Sequence, residues 1–298
     1  MINNYLNHIL NILRYHSNLI YFHPKFVYLL IQNYSCVNRF ISELKKTEFH
    51  IVLKRKPTIL RNVWGPYLHN EWPVTQRFSH ILGHYQTLNL LPKFFDITKV
   101  TTREVVSLRN YSSDAFVVLE HPVWFQREGE LVISLFKKEA RVMTVSFSFS
   151  NYKSAKAIYI GSIQGMPSNF SSSQSLGIIR GLTKDCYGLR PKSLLVEVIK
   201  MFAQSIESNH ILAICDKNRH QRHPFFGGYL DTIPTTNYDD IWVEHSGVYL
   251  DNGFYSLPLQ LHRREFSEIS SNKRAMYRHR YNMLDDINKQ IIDLLDPR

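Results

Sequence analysis

The sequence predicts an α+β fold, in which a helical N-terminal region packs on a mixed, largely antiparallel sheet with flanking helices. Three observations predict it: helical apolar spacing over the first hundred residues, β-rich segments between residues 114 and 161, and helical spacing again after residue 170. Only three of the 12 glycines precede residue 150, so the composition changes in the same part of the chain. We therefore assign residues 1–110 to a helical region or cap, and residues 111–298 to an α/β domain with a basic helical tail.

The first region has its apolar residues at helical spacing. Tyr5, Ile9 and Leu13 would share one helix face, and the basic run 54–56, followed by a proline, predicts a turn. No composition typical of a linker separates this region from the segments that follow it. We therefore expect it to cover the sheet as a cap.

Four segments in the middle of the chain have the composition of strands. In the third, Thr144, Ser146 and Ser148 alternate with valine and phenylalanine, which is typical of a strand with two different faces. The connections 137–139 and 151–154 are short enough for hairpins, so neighbouring segments are expected to be antiparallel. The four segments are Ala115–Leu119, Glu130–Phe136, Ala140–Phe149 and Ala155–Gly161.

Helical spacing returns after the last of these strands. A helix is predicted over Ser171–Gly181, and a second one over Arg190–Gln204, where a proline suits the first turn. Ile211–Cys215 has the composition of a short buried strand. A loop-rich aromatic section follows, and a helical tail is predicted over Arg263–Leu295.

Charge and cysteine content narrow the functional classes. The 298 residues include 36 Lys and Arg against 25 Asp and Glu, a formal charge of +11. A basic surface favours anionic partners, among them nucleic acid, anionic lipid and phosphate-bearing cofactors, although a basic protein without such a partner is an equal alternative. The three cysteines are far apart and odd in number, which excludes a disulfide framework and favours a reducing compartment.

The N-terminus lacks the pattern of a secretory signal. It has no basic start followed by an unbroken apolar stretch, and no small-residue cleavage site. The most apolar stretch, 19–31, is interrupted by His23, Pro24 and Lys25, and falls short of a membrane span. We therefore expect a cytoplasmic protein, with peripheral contact to the inner membrane as a second expectation.

The first candidate site is the start of the second predicted helix. Gly188, Arg190, Lys192 and Ser193 stand there, where backbone N–H groups and cations favour a phosphate. The order of a meander, a strand, a glycine-bearing loop, a helix and a further strand resembles the GNAT N-acyltransferase fold. That resemblance implies that these residues bind the pyrophosphate of coenzyme A, although Pro191 removes one N–H donor. An ordinary helix start with basic residues is the alternative.

The second candidate is the polar loop 216–223, directly after the predicted buried strand. Side chains at the carboxyl end of such a strand are well placed to face a ligand. His220 is a candidate general base, and Asn218 is assigned to cofactor binding. The cations of this loop would equally hold phosphate or lipid headgroups, or form an exposed basic loop. His220 and His223 lack a nearby third ligand, so no metal site is predicted.

The third candidate lies between residues 237 and 245. Asp240 and His245 are its candidate acid–base groups, because this segment holds every usual acid–base side chain within a few positions. Aromatic and acidic residues also form structural hydrogen-bonded corners, and this alternative has the greater weight. The Arg127–Glu130 segment has the same two interpretations, because Gly129 can form the turn into a strand.

The tail carries six cations against two carboxylates over Arg263–Arg280. A solvated helix face is the common explanation for such a run, and docking on anionic lipid is the alternative. No zinc-finger spacing, helix-turn-helix pattern or RNA-binding aromatic signature accompanies the charge. Nucleic acid is therefore not the expected partner.

Six short segments resemble the VirK/YbjX family of Gram-negative bacteria. They are spread over most of the chain, from about residue 100 to residue 285. The segments are Arg127–Leu131, Tyr159–Gly165, Thr183–Pro191, Asp216–His220, Asn237–Trp242 and Gly253–Pro258.

The resemblance implies a physiological context without a settled reaction. Family members are linked to virulence, to display of an outer-membrane protein and to resistance against antimicrobial peptides. Together with the GNAT-like order of elements, this gives our leading hypothesis, an acyltransferase-like enzyme of envelope biogenesis that uses an acyl-CoA or acyl-carrier-protein donor. The alternative is a non-catalytic protein that binds an envelope protein or an anionic lipid.

Overall fold

The computed structural model describes residues 24–91, 93–95, 102–122, 125–167, 170–226 and 236–295. The helix expected around Tyr5–Leu13 lies outside the described residues. The N-terminal region is helical, with short 3₁₀ turns between its helices. Its described helices are α1 (Pro24–Gln32), α2 (Tyr34–Leu44), α3 (Val52–Arg55) and α4 (Val74–Leu88).

The described strands form one mixed sheet. Its order is β1-β2-β3-β4-β5-β6-β8-β7, and all neighbours are antiparallel except β5 and β6. Residues 157–160 of β5 pair with residues 210–213 of β6. The strands are β1 (Thr102–Ser107), β2 (Ala115–Glu120), β3 (Leu131–Lys137), β4 (Ala140–Tyr152), β5 (Ala155–Gln164), β6 (His210–Ile214), β7 (Val248–Leu250) and β8 (Phe254–Leu257).

Helices cover both faces of this sheet. Two of them, α5 (Ser172–Asp185) and α6 (Pro191–Ser205), form the crossover between the parallel strands, and α7 (Tyr238–Glu244) and α8 (Ser271–Leu295) follow. On one face, Gly83 and His80 of α4 approach Ser150 and Ser148 of β4. On the other face, α6 packs against β4. The predicted α+β class, with its helical N-terminal region and flanking helices, is confirmed.

The structure departs from the sequence prediction in three places. The first strand begins at Thr102, ahead of the boundary placed at residue 110. The aromatic section predicted as loops contains α7, whose first turn is capped by the Asn237 side chain, and the hairpin of β7 and β8. These are elements of three to seven residues, too short for apolar periodicity to mark them.

Within the described part of the chain, no helix has both the length and the hydrophobicity that a membrane span requires.

Candidate active site

The candidate site lies where the parallel strands separate. Pairing between β5 and β6 ends at Ile160, and β5 continues to Gln164. The turn before β3 packs against this end of β5 so closely that a Cβ atom on Gly161 would lie 1.8 Å from the backbone oxygen of Glu128. A Cβ on Gly129 would lie 2.6 Å from the Phe147 oxygen. The two glycines therefore allow the turn to place Glu128 against the sheet.

The Glu128 side chain is buried and hydrogen-bonded. Its carboxylate accepts from Gln164 Nε2 at 3.0 Å and from Gln221 Nε2 at 2.9 Å. Burial raises the pKa of Glu128 from 4.5 to about 7, and this rise is opposed by Ser162, Arg219 and the Gln164 hydrogen bond. At neutral pH the carboxyl group is thus divided between its protonated and ionised forms, as a general base requires.

His220, the predicted general base, lies beside this carboxylate. Its Nδ1 is 3.8 Å from Glu128 Oε1, and the ring is buried. Burial, followed by the charges of Arg127 and Arg219, lowers the pKa of His220 to about 3. His220 is therefore neutral at neutral pH, and its contact with Glu128 is not an ion pair. Glu128 is better matched to take a proton than His220.

A cavity of about 460 Å³ opens onto Glu128 and His220. The wall combines hydrogen-bond donors with aromatic rings, and the guanidinium of Arg127 lies 5.2 Å from the centre of the Phe225 ring. Burial is the main cause that lowers the pKa of Arg127 to about 10, so this cation stays protonated at neutral pH. Other residues on the wall are Phe125, Gln126, Gln164, Gln221 and Phe226.

The gap between the ends of β5 and β6 is filled by side chains. The Tyr238 hydroxyl accepts from the Ile163 N–H and donates to the Ile163 carbonyl, both at 3.0 Å. The Arg219 guanidinium lies 3.9 Å from the centre of the Tyr238 ring. Trp242 Nε1 donates to the Ile214 carbonyl at 2.7 Å. A ligand that entered between the strands would have to displace Tyr238.

The residues predicted to hold a pyrophosphate have protein partners. Arg190 and Lys192 both pair with Glu244 of α7, at 3.4 and 2.7 Å. The hydrogen bond and charge of Lys192 lower the pKa of Glu244, against the opposing effect of burial. Ser193 is buried, and a Cβ on Gly188 would lie 2.8 Å from an Arg280 nitrogen. Their role in cofactor binding stays a prediction.

Asn218 lies at a second cavity, of about 380 Å³. Its Nδ2 donates to Asn70 Oδ1 at 3.2 Å, and its Oδ1 accepts from Cys215 Sγ at 3.1 Å. The bond to Asn70 joins the loop after β6 to the N-terminal region. Asn218 and His220 therefore face different cavities, although only one residue separates them.

The other two predicted catalytic residues do not line the Glu128 cavity. Asp240 is exposed in the first turn of α7. His245 is buried, with its Nδ1 3.8 Å from Glu197 Oε1. Glu197 also forms a buried ion pair with Lys200 at 3.0 Å. Of the three candidates, the structure thus brings only His220 to the Glu128 cavity.

Comparison with known proteins gives the family. The model of a family described as "Protein of unknown function (DUF535)" matches residues 16–293. The chain is 27% identical to the uncharacterized protein YbjX of Escherichia coli K12 over 81% of its length and 73% of that relative. It is 30% identical to an uncharacterized protein of Haemophilus influenzae Rd over 77% and 73%. No solved structure matches. The chain belongs to DUF535, the VirK/YbjX family, as its six short segments predicted.

Proposed function

We propose that the chain is an acyltransferase-like enzyme in which Glu128 is the general base. The observation that carries the proposal is the buried Glu128 carboxylate, whose pKa of about 7 suits proton transfer, on the wall of a 460 Å³ cavity. The parallel pair β5–β6 with its helical crossover is the arrangement on which the resemblance to the GNAT fold rests. The donor would be acyl-CoA or acyl-carrier protein, and the acceptor an amine or a hydroxyl.

In this mechanism Glu128 takes the proton of the attacking group. The acceptor's nitrogen or oxygen forms a bond to the thioester carbonyl carbon while its proton passes to a Glu128 carboxylate oxygen. The tetrahedral intermediate then loses the thiolate as the carbon–sulfur bond breaks, and the thiolate takes up the proton held by Glu128, which restores the carboxylate. Gln164 and Gln221 hold the carboxylate in place through their amide hydrogens.

The family resemblance supports an envelope setting for this chemistry. We propose that the acceptor is a component of the bacterial envelope, because the family is linked to outer-membrane protein display and to antimicrobial-peptide resistance. A basic chain of net charge +11 suits a donor or acceptor that carries phosphate.

A second candidate function is binding without catalysis. Two arrangements favour it: Tyr238 fills the gap between β5 and β6, and Glu244 pairs with both Arg190 and Lys192. On this alternative the shell of an acyltransferase holds an envelope protein or an anionic lipid through its surface cations.

Thermal unfolding of the chain with coenzyme A, acetyl-CoA, palmitoyl-CoA and acyl-carrier protein distinguishes the enzyme from the non-catalytic binding protein. A ligand at 100 times its dissociation constant stabilises the folded state by about 2.7 kcal/mol, which is readily measured. A saturable shift with one acyl donor is the result expected for the enzyme. No shift with any of them favours the binding protein.

The step at Glu128 is tested by release of free thiol from that donor, with water as the acceptor. The rate should rise with pH through about 7 and then level, because the base acts when ionised. Glu128→Gln should lower the rate by roughly 10²–10⁴ while it keeps the donor-induced shift. The matched control is Glu139→Gln, at an exposed carboxylate in the turn between β3 and β4. Equal rates in the two variants would exclude Glu128 as the base.

A further inference from the structure

Helix α5 is poorly packed for a helix of its length. Only Leu182 is buried among its 14 residues, whereas the next helix, α6, buries 12 of 15. Leu176 is 50% exposed, and a Cβ on Gly177 or Gly181 would meet nothing within 4 Å. The exposed Leu176 and the open space at the two glycines show that no described part of the chain covers this face of α5.

The exposed face of α5 combines apolar and cationic side chains. Leu176, Ile179, Arg180, Thr183 and Lys184 are spaced at i, i+3, i+4, i+7 and i+8, so they share one face. Leu176, Arg180 and Lys184 are exposed, whereas Ile179 and Thr183 are half-buried at its edge. Arg180 and Lys184 are exposed and have no ion-pair partner among the described residues. The nearest carboxylate in sequence, Asp185, accepts from Ser112 Oγ at 2.6 Å. The two cations therefore keep their charge for an outside partner.

The first ten residues of α8 continue this surface. None of residues 271–280 is buried, and they carry four Lys or Arg and no acidic residue. Lys273, Met276 and Arg280 are spaced three and four residues apart and share a face. Arg280 donates to the backbone oxygen of Tyr187 at 2.7 Å, a bond that leaves its charge unneutralised.

A cavity of about 530 Å³ lies between the two helices. Ile179 and Tyr187 line it from the side of α5 and the following loop, and Met276 lines it from α8. Arg180 and Lys184 stand on its wall. Its volume is that of a typical small-ligand pocket, and its wall offers apolar surface beside cations.

We infer that this face of α5 and α8 binds the surface of an anionic lipid bilayer, with the cavity holding part of one lipid. Cations without acidic partners complement anionic headgroups, and Leu176 supplies apolar surface that enters the interface. The inference deepens the second candidate function, and its cavity is also lined by Gly188 and Arg190, two of the residues predicted to hold a pyrophosphate. It uses none of the residues around Glu128, so a loss of vesicle binding and a loss of base catalysis are separate results.

The test is co-sedimentation of the full chain with phosphatidylcholine vesicles, with and without phosphatidylglycerol. Binding should need phosphatidylglycerol and weaken as salt increases. The double variant Arg180→Gln with Lys184→Gln should bind about thirty-fold more weakly, because each cation near such a surface contributes roughly five-fold. Leu176→Ser should lower binding about tenfold at unchanged charge.

The matched control removes two exposed cations elsewhere, Lys45→Gln with Lys289→Gln. Lys45 caps α2, and Lys289 is 13 residues beyond Met276 on α8, about 20 Å along the helix. Equal binding to both kinds of vesicle would overturn the inference, and so would an equal loss of vesicle binding in the control variant. A third contrary outcome is that the chain binds inorganic phosphate or soluble dihexanoyl-phosphatidylglycerol saturably but does not bind vesicles. The last would assign the cavity to a small anion.

Discussion

The two faces of β4 are both buried, yet they are chemically opposite. Under α4, the strand presents threonine and serine, and Ser148 Oγ lies 2.7 Å from His80 Nε2. Under α6, it presents valine and phenylalanine, and the Phe147 ring packs on Phe202 with ring centres 6.5 Å apart. One strand thus separates a polar interior layer from an apolar one.

Several titratable groups with shifted pKa values lie in the polar layer. Glu128 contacts Gln164, the cross-strand partner of Thr144 on this face. Burial lowers the pKa of His80 to about 3 and raises that of Glu128 to about 7. The apolar face therefore supplies stability, while the helical region shields a layer that costs stability and can carry chemistry.

The largest expected effect is on the apolar face. Phe147→Ala removes a fully buried ring and leaves a cavity, so it should lower the free energy of unfolding by roughly 4 kcal/mol. Because no charge is involved, the loss should be the same at pH 5 and pH 8. Denaturant unfolding measures it, and a loss that varied with pH would contradict the division into two layers.

Removing the buried ion pair of the polar layer should lower the free energy of unfolding by a slightly smaller amount. Glu130 accepts from Tyr85 at 2.8 Å and from Tyr67 at 3.2 Å, and pairs with Lys56 at 2.8 Å. Glu130→Ala should cost roughly 3 kcal/mol by leaving Lys56 and two hydroxyls without their acceptor. Glu130→Gln keeps an acceptor and should cost less. Equal losses of unfolding free energy in the two variants would contradict a contribution from the retained acceptor.

The pH dependence of stability reports on Glu128 in the polar layer. The folded-state pKa of Glu128 lies above its usual 4.5, so the folded chain holds a proton that the unfolded chain releases. Its contribution is fully present below pH 4.5 and is lost as pH rises through about 7. Relative to wild type, Glu128→Gln should gain up to about 3 kcal/mol over that range. A constant difference across the same pH series would contradict the raised pKa.

The smallest effect is expected at the Ser148–His80 contact. Ser148→Ala removes one hydrogen bond to a neutral, buried imidazole, so the loss should be about 1 kcal/mol. Ser173→Ala, at an exposed position of α5, is the control for the change of residue type. A loss as large as that of Phe147→Ala would place Ser148 among the main stabilising residues.

The sequence predicted the helices and strands that are marked by residues lying within a few positions of one another. The alternation in β4 and the proline at the start of α6 both act within a few residues, and both elements are present. The polar side of β4 resembles a strand face exposed to water, so periodicity alone could not show that α4 covers it. Glu128 lies in the 127–130 segment, for which the sequence left an acid–base and a structural interpretation open, and it was not among the predicted catalytic residues. Its burial depends on contact with Gly161, 33 residues away, which the sequence does not show.

Tyr238 gives the sheet an unusual kind of continuity. At Ile163 its hydroxyl does what a neighbouring main chain would otherwise do, since it both donates and accepts. Beyond Ile160 the pairing between β5 and β6 has ended, and α7 contacts β5 through this side chain and the end of β6 through Trp242. Moving α7 away from Ile163 requires the rotation of one ring about its own bonds, whereas separating β5 from β6 at residues 157–160 requires breaking a row of peptide hydrogen bonds.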